Sequence, residues 1–337
     1  MNLFRKILFP IVPIYYLITW FRNVLYDIGF KKSQEYNFPI IAVGNLSVGG
    51  TGKSPMIEYL IMLLKEKLLL ATLSRGYKRE TKGFQIVNRN ATAKEIGDEP
   101  LQFKKKFEDI VVAVDADRRN GIANLRALEQ KPELILLDDA YQHRKVKAGL
   151  YILLTAYYDL YSDDIMLPTG NLREPIRGAK RAKIVVVTKC PEDLSNEEKQ
   201  KIERKLNLES DQTLYFSSIA YSSYVSNTVD TKSIESLQNV SFTLVTGIAN
   251  PKPLLDHYQS LGLKFDHLNY KDHHNFTAKE IEELNQKTII ITTEKDYVRL
   301  VSSKVSKDKL WYQPIETNIL ENKSKFDEQI LEYIASY

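Results

Sequence analysis

The sequence predicts an α/β protein: a mostly parallel sheet flanked by helices, followed by a smaller α/β domain. Three observations lead there. From residue 38 onward, short apolar runs rich in β-branched residues alternate with helical stretches, which is the pattern of strands buried on both faces and joined by crossover helices. Around residues 215–238 the texture changes to Ser, Thr and Tyr, without long apolar blocks. A second, shorter alternation of the first kind follows. A chain of 337 residues also exceeds one ordinary core and suits two domains.

The elements follow in order. Residues 1–35 form an apolar, aromatic segment with no charge between Lys6 and Arg22. Such a run is shorter than the roughly 20 residues a bilayer-crossing helix needs, and Pro10 and Pro13 are tolerated only in a helix's first turn. Arg5 and Lys6 precede it as in a secretory leader, but no small-residue cleavage site follows. Two readings stand: a helix lying in a membrane interface, or a helix buried against the domain. Tyr15, Tyr16, Trp20 and Phe21 suit the headgroup boundary, and Arg22, Lys31 and Lys32 suit anionic lipid, so the interfacial helix is expected. Residues 36–214 carry the strand candidates "PIIAV", "LLLATL", "DIVVAV", "ELILLD", "LYILL" and "KIVVVT", separated by helical stretches such as "PMIEYLIMLLKEKL" and "NGIANLRALEQK". Residues 215–240 read as a connector. Residues 241–337 carry "VSFTLVTG", "PLLDHYQSLG", "KFDHLNY", "AKEIEELNQ" and "TIIITT", a smaller domain placed to close a cleft.

Bulk properties narrow the partners. Hydrophobic residues make up 43% and charged residues 27%, with net charge +4 and an isoelectric point near 8.7. This mild basic excess suits nucleotides, phospholipids or phosphosugars and is too weak to argue for nucleic acid. The single cysteine, Cys190, excludes a disulfide framework and points to a reducing compartment.

The stretch "SVGGTGKS", residues 47–54, lies between "PIIAV" and a helical run. Strand, glycine loop and helix in that order are the setting of a phosphate-binding loop, which makes the larger domain P-loop NTPase-like. Glycines let consecutive backbone N–H groups turn toward phosphate oxygens, and the following helix directs its positive end at the same anion. Lys53 can reach the β- and γ-phosphates, Ser54 can ligate Mg²⁺, and Pro55 suits the first helical turn. The usual pattern places glycine six residues before the lysine; here Ser47 stands instead. "ELILLDDAYQHRKV" supplies the partner motif, a buried strand ending in Asp138 and Asp139 that can serve the metal. Other kinds of P-loop ATPase or GTPase share these two motifs, as does a non-enzymatic, nucleotide-gated membrane scaffold. "VVVTKCPED" lacks the asparagine and placed aspartate of a guanine-binding motif.

Weaker polar segments discriminate further. "SRGYKRE" (74–80) follows a strand, where ligands bind in open α/β sheets. "EIGDEPLQF" places Asp98 and Glu99 in a loop, either as a proton acceptor or as a helix cap. "LPTGNLREP" (167–175) is a shaped polar loop, and "YKDHHNF" (270–276) offers an acid–base element or a simple loop. "ITTEKDYVRL" resembles a strand followed by a polar helix start.

Taken in order, "VGNLSVGGTGKSP", "SRGYKR", "GDEP", "DDAYQH", "LPTGNLREP", "GIANP", "DHH" and "TTEKD" resemble the tetraacyldisaccharide 4′-kinases of lipid A biosynthesis over residues 1 to about 300. The resemblance implies transfer of the ATP γ-phosphoryl group, with Mg²⁺, to the 4′-hydroxyl of an acylated glucosamine disaccharide 1-phosphate. It implies work at the cytoplasmic face of the bacterial inner membrane, with inner-membrane lipids as partners through the N-terminal segment; no protein partner is inferred. It implies that Ser47, Val48, Gly49, Gly50, Thr51, Gly52, Lys53 and Ser54 bind ATP, and that Ser54, Asp138 and Asp139 serve the metal. Asp98 looks like the residue that deprotonates the sugar hydroxyl, assisted by His273 of the smaller domain. Arg75, Tyr77, Glu99, Gln142, His143, Asn171, Arg173 and Glu174 are expected at the acceptor substrate. Ala140, Tyr141, Thr169 and Asn171 depart from the family pattern and are expected to bear on headgroup fit.

Overall fold

The computed structural model describes residues 5, 7–227 and 229–337. Strands β1 (Ile40–Asn45), β2 (Leu70–Ser74), β3 (Gln85–Ile86), β4 (Val111–Val114), β5 (Leu134–Asp138), β6 (Leu150–Ala156), β7 (Ile184–Thr188) and β8 (Thr213–Tyr221) belong to one large sheet. Strands β9 (Tyr224–Ser226), β10 (Thr231–Ser233), β11 (Phe242–Thr246), β12 (Phe265–Asn269), β13 (Ile290–Thr293) and β14 (Leu310–Gln313) form a second sheet. Strand β15 (Ile315–Ile319) then returns to the first.

The large sheet runs β15-β8-β7-β6-β1-β5-β2-β4-β3, parallel except for its two edges, β15 and β3. Continuous apolar strands suit this sheet because both faces are covered. In β1 and β5, Ile41, Val43, Leu134 and Leu136 pack on one side, while Ile40, Ala42, Ile135 and Leu137 pack on the other. The first side receives Met56, Ile57, Leu60, Ile61 and Leu64 of the helix Lys53–Leu64, and Phe326 and Ile330 of the C-terminal helix Lys323–Ala335. The other side receives Ile122 and Leu125 of the helix Arg118–Arg126. Pairing of Val43 with Asp138 brings the carboxyl ends of β1 and β5 side by side. That register sets the glycine loop beside the paired aspartates.

The smaller sheet runs β10-β9-β14-β13-β11-β12, with β12, β11, β13 and β14 parallel. The two sheets divide the chain differently from the expected segments. β8 lies in the large sheet although most of it was expected in the connector 215–240. Residues 315–337, expected within the smaller domain, also join the larger one: β15 pairs antiparallel with β8, and Tyr333 donates to the carbonyl of Ile40 at 2.9 Å. β15 alternates polar and apolar residues and β8 is interrupted by a Ser-Ser pair, textures that sequence alone does not assign to a buried parallel sheet.

The N-terminal helix Val12–Asp27 buries only Thr19 and Asn23. Its polar side meets the domain: Tyr15 Oη donates to the carbonyl of Arg173 at 3.1 Å, Asn23 Nδ2 donates to Glu174 at 2.9 Å, and Asp27 pairs with Arg144 at 2.8 Å. Its apolar side faces outward. No helix among the described residues is long and apolar enough to cross a membrane.

Candidate active site

The glycine loop joins β1 to the helix Lys53–Leu64, with Gly49 at φ +123° and Gly52 at φ +80°, a region that side chains with a Cβ rarely enter. Ser47 replaces glycine without penalty because its backbone is an extended bridge to Leu172, and Val48 N–H donates to the carbonyl of Asn171 at 2.7 Å. The loop is held from outside as well. Thr188 Oγ1 donates to the carbonyl of Thr51 at 2.9 Å, and Lys189 Nζ to that of Gly50 at 2.5 Å. Lys53 Nζ lies 3.4 Å from Asn45 Oδ1 and 3.7 Å from Asp139.

The two aspartates differ in environment. Asp138 is buried, and its Oδ1 has no partner among the described residues. Burial, then the charge of Asp139, pushes its carboxyl up to about 7 against the pull of Lys53. Asp139 turns aside through a left-handed backbone, φ +46°. Burial opposes its ionisation, but Lys53 and Arg173 outweigh that and hold it at about 2. An unsatisfied, buried carboxylate oxygen beside the Ser54 helix turn is the hard oxygen donor Mg²⁺ prefers, so the residues present fit that ion. Arg118, buried nearby, donates to the carbonyls of Asp115 and Asp138, at 2.5 and 3.3 Å; burial draws its guanidinium down to about 10 despite the charges of Asp138 and Asp139.

At the seam between the domains, Asp98 opens the helix Asp98–Lys106. Gly97 precedes it at φ +94°, and a Cβ there would come within 3.1 Å of the carbonyl of Tyr77, so the 74–80 loop packs directly on the 97–99 turn. His273 of the smaller domain meets Asp98 through Nδ1 at 3.0 Å, and Arg299 Nε donates to Asp98 at 3.1 Å. Burial resists ionisation of Asp98, but His273 and Arg299 hold its carboxyl well below the usual carboxylate range. Lys295 Nζ lies 2.9 Å from His273 Nε2 and 3.2 Å from Asp272. An ammonium only donates, so Nε2 accepts from Lys295, while Nδ1 lies between the carboxylate of Asp98 and the guanidinium of Arg299, whose Nη2 is 2.8 Å away. Tyr77 packs edge-on to His273, centroids 5.9 Å apart.

The expected acceptor-site residues separate. Arg75 and Tyr77 are exposed, and Glu99 is half-buried in the Asp98 turn. Arg173 donates to both oxygens of Asp139, at 3.2 and 2.8 Å, and so fixes that carboxylate. Asn171 accepts from Arg5 at 2.8 Å. Glu174 requires correction: it is fully buried, paired with Arg181 at 2.9 Å and bonded to Asn23 and Gln142. A carboxylate so enclosed presents no oxygen to a substrate. Gln142, bonded to the carbonyl of Asn45 at 2.8 Å, belongs to the same clamp. His143 is half-buried, and burial, then Arg118, draws its imidazole down to about 4. Ala140, Tyr141 and Thr169 are core residues: Tyr141 fills the space beside Gly44 and donates to the carbonyl of Gly178 at 2.8 Å.

Asn45, Arg118, Lys189, Lys295 and Arg299 were not singled out from the sequence. Lys295 and Arg299, four residues apart on one helical face, carried the only available signal.

A family model described as tetraacyldisaccharide-1-P 4′-kinase (LpxK) matches residues 4–335. A tetraacyldisaccharide 4′-kinase of Flavobacterium johnsoniae is 52% identical, with 99% of this chain and 98% of that protein covered. One of Bacteroides thetaiotaomicron is 42% identical, covering 98% and 93%. Among solved structures, LpxK from Aquifex aeolicus in complex with ATP superposes with a TM-score of 0.79 at 29% identity, over 98% of this chain and 100% of that one.

Proposed function

Because this chain belongs to the tetraacyldisaccharide-1-P 4′-kinase family, we propose that the larger domain holds the phosphates while the seam between the domains takes the acceptor's proton. The chain is an ATP-dependent kinase of lipid A biosynthesis. It transfers the γ-phosphoryl group of ATP, with Mg²⁺, to the 4′-hydroxyl of an acylated glucosamine disaccharide 1-phosphate.

The site residues then divide the work. Residues 47–54 cradle the triphosphate with backbone N–H groups, and Lys53 compensates its charge. Ser54, Asp138 and Asp139 would hold Mg²⁺, which supplies charge neutralisation at the phosphate oxygens. The 4′-oxygen attacks the γ-phosphorus, the bond to the β,γ-bridging oxygen breaks, ADP leaves, and the hydroxyl proton passes to Asp98. A carboxylate with a depressed pKa suffices for this. In a loose transition state the hydroxyl proton becomes acidic only late, so position matters more than base strength. His273 and Arg299 keep Asp98 ionised and aimed. Arg75, Tyr77 and Glu99 line the acceptor's approach.

Lipid A biosynthesis places the enzyme at the inner membrane. We assign the contact to the N-terminal helix, whose outward face carries Ile14, Leu17, Ile18 and Phe21, all exposed. The observation that carries the reading is the Asp98–His273 contact bridging the domains next to a phosphate loop. Radiolabelled ATP with the lipid disaccharide phosphate tests it: the wild-type protein labels the lipid, and Lys53→Ala abolishes transfer. Transfer that persists in Lys53→Ala would remove the loop from the mechanism.

A further inference from the structure

Two ammonium groups lie at the glycine loop and a third at the Asp98–His273 contact. Lys53 opens the helix behind the loop. Lys189, following β7, donates to the carbonyl of Gly50. Lys295 comes from the smaller domain, on the helix Glu294–Leu300. Burial draws the Lys189 ammonium below its ordinary value, and the charges of Lys53 and Lys295 draw it further. The anions nearest them are shared or already engaged, and Asp138 is pushed toward its neutral form by burial. Asp139 is shared between Lys53 and Arg173, Asp272 pairs with Lys295 at 3.2 Å from a partly exposed position, and the hydrogen-bond partner of Lys189 is a neutral carbonyl. A polyphosphate is the anion that such an excess of positive charge suits.

Lys295 is placed for more than binding. Its ammonium has three N–H donors and engages His273 Nε2 and Asp272, which leaves one donor available. Through His273 it is one residue removed from Asp98, where the acceptor proton goes. We propose that Lys295 is a catalytic cation supplied by the smaller domain: it contacts the γ-phosphate oxygens and stabilises the charge that builds there during transfer. This assignment rests on the kinase reading and names a residue beyond it. A cation delivered by the second domain reaches the phosphate only when the cleft is closed, so the same device restrains hydrolysis by water before the lipid arrives.

The simpler role, orienting His273, makes a different prediction. Lys295→Met retains the aliphatic stem and removes the charge. At saturating ATP and lipid it lowers kcat about 100-fold, the scale of losing one charge-stabilising donor, while KM for ATP moves less than about threefold. Lys295→Arg recovers part of the rate at an equal folded fraction. In a His273→Asn background, Lys295→Met still costs about tenfold or more, because its target is the phosphate and not the ring. The slow hydrolysis of ATP without lipid stays within about threefold, because the cleft is then open and Lys295 is away from the phosphate. The assignment is overturned if Lys295→Met adds nothing to His273→Asn, if its effect is confined to KM, or if Met and Arg variants of equal stability are equally slow. Failure of the kinase reading itself would show separately, as transfer unaffected by Lys53→Ala.

Discussion

Asp98 is where charge, burial and domain contact meet. The carboxylate receives Arg299 and His273, and both come from the smaller domain. Asp98→Asn keeps the shape and loses the base: kcat falls about 100-fold or more while ATP affinity, measured by titration, stays within about threefold. A defect expressed only in KM would remove Asp98 from the proton step. At this scale the sequence was legible where chemistry is local. The glycine loop and the paired aspartates lie where the order of strand, loop and helix put them, whereas Asp98 was singled out only by the resemblance. Glu174 was misread because its partners, Arg181, Asn23 and Gln142, come from separate parts of the chain, and a polar loop residue buried by tertiary packing looks identical in sequence to an exposed one. Lys189 was passed over for the same reason, since its contact with Gly50 depends on β7 and β1 ending at the same edge.

Between elements, three helices carry a buried ionic cluster that joins the domains. Lys106 pairs with Glu58 at 2.6 Å and with Glu294 at 2.8 Å, and Gln102 donates to Glu58 at 2.7 Å. Two carboxylates share one ammonium. Burial, then the charge of Glu58, pushes Glu294 up to about 8 against Lys106, and burial likewise raises Glu58. A carboxyl raised in the folded state holds a proton that the unfolded chain releases near its ordinary value of about 4.3. Its favourable contribution is therefore complete below that value and is lost as pH rises toward about 8. Tyr312 and Glu316 also feel the cluster. Glu294→Gln removes one such carboxyl, so its thermal midpoint declines less than that of the wild type between about pH 5 and 8, by a few degrees. Parallel declines would show that Glu294 does not hold the proton. The strands that these helices cover were evident as apolar runs. β15 was not, because "IETNI" alternates like a half-exposed strand and only its pairing with β8 reveals the sheet it joins.

Across the whole molecule, the N-terminal helix reverses the usual arrangement, with its polar side docked and its apolar side outward. Ile14, Leu17, Ile18 and Phe21 recur at helical spacing and are all exposed, while Asn23 is tied through Glu174 to Arg181 in the core. The sequence showed an apolar segment too short to span, but not which side would dock; that is settled by the partners of Tyr15, Asn23 and Asp27. An acylated acceptor leaves the bilayer only at a cost of about 0.8 kcal/mol per exposed methylene, which is the reason for assigning the membrane contact to this stripe in the proposed reading. Leu17→Glu combined with Phe21→Glu removes two apolar anchors, each contributing roughly 1.5–3 kcal/mol when buried. Cosedimentation with anionic phospholipid vesicles then falls by at least about tenfold. ATP affinity and turnover of a short-chain, detergent-dispersed acceptor stay within about twofold, because neither side chain belongs to the Glu174 clamp or the glycine loop. Vesicle binding that survives both substitutions would move the membrane contact to another face of the protein.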